Sequence, residues 1–188
     1  MKRAFVAMVV ALVCSVGVSA AEKTAKSFEI PKYGTLTLEL PPEWDATLEK
    51  PSDGGPVRIK LVDKGIKDFT MVITPVNPPG DKEPATPERV RKMIDEVNTA
   101  MKLESKESLM KVEEIKGKET VGYWFALTRA QKKAAAHSHA THFRVAVGDR
   151  LILGGTIVQV HLSGPGQRQG LEILKTATIK PGEAAESK

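Results

Sequence analysis

Three of the four histidines stand within six residues, in His137-Ser138-His139-Ala140-Thr141-His142, and the fourth is His161. Neutral imidazoles bind Zn, Cu or Ni, so His137, His139 and His142 form the candidate metal site of the sequence. Strand geometry weighs against a shared ion. In one extended strand His137 and His139 lie on one face and His142 on the other. A two-residue turn at Gly148-Asp149 would set Val147 opposite Arg150, His142 opposite Gly155, and His161 opposite Ala136. His161 would then neighbour His137 from the wrong side. Convergence requires a bulge or a flexible loop at 134–141, and exposed loop histidines are the plainer reading.

The other chemical signals are weaker. Trp44, Tyr123 and Trp124 could line a binding cleft. In strand alternation Trp124 shares its face with Gly122, Ala126 and Thr128, opposite Tyr123, and small neighbours suit a groove. Core packing is the commoner use of such rings. Gly164 to Gly170 (GPGQRQG) stands between a strand and a helix, where phosphate loops occur. However, Gln169 occupies a position where the dinucleotide fingerprint needs glycine, and the Lys-Ser/Thr of a Walker loop is missing. Gly170 more simply lets a helix approach a sheet. No Gly-x-Ser-x-Gly is present, and Ser163 has only His161 near it in sequence. Glu113-Glu114 and Asp95-Glu96 are adjacent pairs that point apart, unlike two acids facing each other across a cleft. The sequence nominates no catalytic residue, and the chain reads as a non-enzyme.

Export accounts for the first twenty residues. Lys2 and Arg3 precede an uncharged run from Ala4 to Val18, and Val18-Ser19-Ala20 offers the small residues that a signal peptidase reads. The run falls short of the ~20 residues a spanning helix needs. Cleavage after Ala20 or Ala21 is expected, leaving a secreted, periplasmic chain with no transmembrane segment. It would remove Lys2, Arg3 and no acid, taking the formal charge from +5 to +3. It would also remove Cys14, the only cysteine, and with it disulfides and thiol chemistry. Val13 fills the site before Cys14 where lipid attachment prefers a small residue. Lysines scattered among acids, without aromatic interleaving, argue against nucleic acid as a partner.

The remaining chain must build a core from alternating strands and two helices. Thr35 to Leu40 alternates strictly, with Leu36, Leu38 and Leu40 on one face, and Pro41-Pro42 ends it. Trp44, Ala46 and Leu48, then Val57 to Leu61, then Phe69 to Thr74 continue the pattern between turns at 51–56 and Lys64-Gly65. Thr86 caps a helix with Pro87 in its first turn and a stripe of Val90, Met93, Ile94, Val97 and Met101. Strands follow at Met110 to Ile115 and Val121 to Leu127, with a loop or loose helical turn at Ala130 to Ala136. A hairpin of Thr141 to Val147 and Leu151 to Leu162 comes next, its second arm apolar on both faces like a central strand. A last helix carries Leu171, Leu174 and Ala177, and 181–188 is a polar tail. These elements predict one α+β domain at 28–180, with a largely antiparallel sheet flanked by helices.

Tyr33-Gly34-Thr35-Leu36-Thr37-Leu38 followed by Leu40-Pro41-Pro42-Glu43-Trp44 resembles the opening of PsbP-like proteins. Gly122 to Thr128, the late hairpin and the terminal helix stand where that family's second half has them. The resemblance implies an α/β/α sandwich. Secreted bacterial relatives of this kind mostly lack an assigned function, and the photosynthetic members are non-catalytic assembly subunits. The chain is therefore read as a non-catalytic binding or assembly module for an envelope protein, with no cofactor, using a sheet edge or the cleft near Trp124. The alternative is a metal protein or enzyme built on His137, His139 and His142, using Zn or Cu.

Overall fold

The computed structural model describes residues 22–76, 81–108, 110–130, 139–160 and 164–182. The expected signal with Cys14, the segment 131–138, His161 with Leu162, and 183–188 lie outside these residues. Strands β1 (Thr24–Ile30) and β2 (Gly34–Leu40) form a hairpin, and β10 (Thr178–Lys180) pairs with the other edge of β2. The second, larger sheet contains β3 (Trp44–Glu49), β4 (Arg58–Asp63), β5 (Thr70–Pro75), β6 (Glu113–Lys116), β7 (Thr120–Thr128), β8 (His139–Val147) and β9 (Leu151–Gln159). Its order is β3-β4-β5-β9-β8-β7-β6, and every pairing is antiparallel.

Helix α1 (Pro87–Met101) begins as its sequence requires. The Thr86 hydroxyl accepts from the Arg89 amide at 3.2 Å, with Pro87 next in line. Its stripe buries Val90 and Ile94 over β7 and β8. Ile94 meets Met110, Phe125, Leu127 and Ala140, while Val90 meets Ala85, Ala146 and Ile152. The opposite face of the large sheet is covered by α2 (Pro165–Lys175) and the three-stranded sheet. There Leu36, Leu38, Ile59, Leu61, Met71, Ile73, Phe143, Leu153 and Leu174 share one core. Among the described residues, no helix is long and apolar enough to cross a membrane.

Among the described residues this is a mixed α+β fold with two antiparallel sheets and two helices. It departs from the single flanked sheet expected of the sequence in three places. Thr24 to Ile30, for which no element was expected, is a strand, because Phe28 and Ile30 dip into the core while Ser27 and Glu29 face solvent. Helix α2 stops at Lys175, so Ala177 is buried outside it, and the chain continues into β10. Met110 lies before β6, buried under α1 and outside the ladder.

Helix α2 sits close because Gly166 lacks a side chain. A Cβ there would lie 2.5 Å from Phe69 Cδ2, and Phe69 is itself wedged edge-on against Trp44 at 5.0 Å. Gly166→Ala therefore sets a helix-propensity gain of about 1 kcal/mol against an overpacking cost of about 1–3 kcal/mol. The ring has nowhere to go, so overpacking wins. Urea denaturation is expected to show a net loss; a gain would mean that α2 is loosely seated.

Candidate functional site

The turn between β8 and β9 decides what faces the histidines. Val147 pairs with Leu151, not Arg150, which corrects the expected register by one residue. A two-residue turn of the expected kind needs positive φ at both central positions, and here only Gly148, at 61°, has it. The loop therefore takes in Arg150 as well. His142 then lies opposite Thr156 instead of Gly155, with Nδ1 3.2 Å from the Thr156 Oγ1.

His139 lies opposite Gln159 and Thr128, and its Nδ1 is 3.2 Å from the Thr128 Oγ1. Three residues apart on one strand, His139 and His142 point to opposite faces. The strand runs through 139–141, and His137 and His161 fall outside the described residues. Among the described residues, no three His, Cys, Asp or Glu side chains are grouped to hold an ion.

The candidate cleft aromatics are also separated. Trp44 is buried on edge strand β3, and its Nε1 donates to Gln169 Oε1 at 3.3 Å. Trp124 packs on the same face of the sheet but five strand positions away, roughly 24 Å at the usual strand spacing. Tyr123 faces the other way, toward α1, where the Arg91 guanidinium lies 5.3 Å above its ring. Gly170 packs against Ile157 and Met71, as expected of a residue that lets a helix approach.

The α1-side face of β8 does gather polar groups. His142 stacks on the buried Phe125, with ring centroids 5.3 Å apart and planes at 28°. Burial, helped by the charges of Arg144 and Arg129, lowers its pKa to about 4, so the imidazole is neutral at pH 7. Arg144 stands one row further along the same face, between Tyr123 on β7 and Gly154 on β9. Gly154 makes its room: a Cβ there would come within 2.7 Å of the Arg144 Nη1 and 2.6 Å of Val76. That guanidinium is half-buried, burial pushes its pKa down, and Nη1 donates at 2.8 Å to the Phe143 carbonyl. Among the described residues no carboxylate pairs with it. The half-buried Arg89, by contrast, is held by Asp81 and Glu83, and its hydrogen bond keeps Asp81 below the usual carboxylate range.

Helix α1 covers only part of this face. Beyond it, Thr70, Val72 and Thr74 of β5 and Thr156 and Val158 of β9 are half-buried, and Lys60 of β4 is exposed. Arg144 escapes notice in the sequence because an isolated arginine in an alternating strand looks solvent-facing, and Arg129 because it lies just past the end of β7. The available signal was His142 and Arg144 two residues apart, hence on one face, paired with the Gly154–Thr156 stretch. The arrangement offers a fixed cation, a neutral imidazole and a hydroxyl beside apolar surface, which suits binding an anion. No protein-family model, curated protein or solved structure matches the chain.

Proposed function

We infer that the chain is an exported, non-catalytic binding module of the cell envelope, built on a PsbP-like sandwich. The basic head, apolar run and small-residue exit of residues 1–20 support export. Helices packed on opposite faces of the large sheet support the sandwich, with the three-stranded sheet as an added element. One observation carries the binding reading: a guanidinium with no carboxylate partner among the described residues, on a sheet face that α1 only half covers. That face is the binding surface.

Photo-crosslinking in intact cells tests this. A crosslinking residue at Lys60 or Val72, on the open face, is expected to trap an adduct visible by intact mass. The same residue at the exposed Ala25 of β1 is expected to trap none. Equal yields at both places would remove the reading. The recovered protein is expected to begin at Ala21 or Glu22, and an intact Met1 would refute export by cleavage.

A further inference from the structure

Charges withdrawn from water are paired, hydrogen-bonded or neutralised, because an isolated one is too costly to keep. Arginine cannot take the third route, since its proton is held at any physiological pH. Among the described residues Arg144 has no carboxylate partner and one hydrogen bond, to the carbonyl of its own neighbour. The rest of the chain offers little. Residues 1–21, 77–80, 131–138 and 161–163 contain no acid, and the last two segments add Lys132, Lys133, His137 and His161. Glu183 and Glu186 lie outside the described residues. Among the described residues the counter-ion is missing, and a ligand from outside the chain would supply it.

The surroundings indicate its chemistry. A guanidinium fork matches the two oxygens of a carboxylate, and among the described residues four of its five N–H groups have no partner. The neighbouring imidazole is neutral and Lys60 closes the His142 row as an exposed charge two strands from Thr156, so the fork is the one half-buried cation of the two rows, which suits a monoanion. Thr156 adds a hydroxyl, while Val72 and Val158 flank it with apolar surface. We propose that Arg144 and Thr156 hold the carboxylate of a small monocarboxylic acid, whose apolar part lies on Val72 and Val158. This rests on the same open face as the binding-module reading.

Octanoate, octanol and inorganic phosphate are the probes, followed by backbone amide NMR of the full chain. Octanoate is expected to shift the amides of Phe143 to Val145 and Gly154 to Thr156 saturably, while octanol and phosphate leave them in place. Arg144→Met keeps the stem and removes the charge; it is expected to weaken octanoate by about tenfold to a hundredfold. Its melting temperature is expected to equal or exceed that of the parent, because the free protein loses an uncompensated charge. Arg144→Lys, with charge but no fork, is expected to fall between the two. Absence of octanoate shifts, shifts from phosphate alone, or unchanged affinity in Arg144→Met overturns the proposal. A clearly lower melting temperature for Arg144→Met also overturns it, since the charge would then be satisfied within the fold. Crosslinks at Lys60 that survive alongside any of these results leave the binding face standing and remove only the carboxylate site.

Discussion

Acidification from pH 6.5 to pH 4 is expected to cost the protein about 3 kcal/mol through one side chain, His142. In the unfolded chain this imidazole takes a proton near its ordinary pKa of 6.5. In the fold, burial against Phe125, with repulsion from Arg144 and Arg129, delays protonation to about 4. Between those values the unfolded state binds the extra proton, so stability falls as pH falls. The contribution is fully present above pH 6.5 and lost by about pH 4. The charges acting on the ring are the two guanidiniums of β8 and the end of β7; β9 contributes the uncharged Thr156. His142→Gln keeps a neutral polar group opposite Thr156 and is expected to flatten this slope, whatever it costs at pH 7. Urea denaturation at pH 7 and near pH 4.5 reads the difference. Parallel slopes for the two proteins would show that the imidazole is accessible to water.

Glu107 supplies an internal contrast. Burial pushes its pKa up, but hydrogen bonds from the Ser105 hydroxyl at 2.6 Å and the Thr128 amide at 2.8 Å hold it at about 2. Its contribution is present above the ordinary 4.5 and lost toward 2, below most of the His142 window.

Gly155→Ala is expected to cost about 3 kcal/mol, the upper end of ordinary overpacking, and Gly155→Val to prevent folding altogether. A Cβ at this position would stand 2.0 Å from the Val72 carbonyl oxygen and 2.5 Å from Phe143 Cζ. The first of these is backbone in the paired strand β5, so relief requires moving a strand, not turning a side chain. Strand β9 is central, pairing β5 on one side and β8 on the other, and joins the β3–β5 half of the sheet to the β6–β8 half. Displacing it disturbs both halves. Circular dichroism with thermal melting checks the prediction. A Gly155→Ala protein as stable as the parent would mean that β5 and β9 are spaced more widely than described.

Some of this was open to reading from residue types. Leu36, Leu38 and Leu40 are fully or nearly fully buried, as strict alternation implies, and α1 begins at its Thr86-Pro87 signal. The central position of β9 followed from apolar residues on both its faces. Other elements left too faint a mark. Strand β1 commits only Phe28 and Ile30 to the core, and β10 is three residues long. Trp44 and Trp124 share a sheet face, but the pairing of β5 with β9 puts five strand steps between them.

Residue order alone determined the local elements, the apolar stripes and the opposed orientation of His139 and His142. Each of these depends on near neighbours and the repeat of helix or strand. Tertiary structure alone decided strand order, the split into two sheets, the His142–Thr156 register and the lack of a carboxylate beside Arg144 among the described residues. Those depend on pairing between segments distant in the chain, and on which groups that pairing leaves without an opposite number.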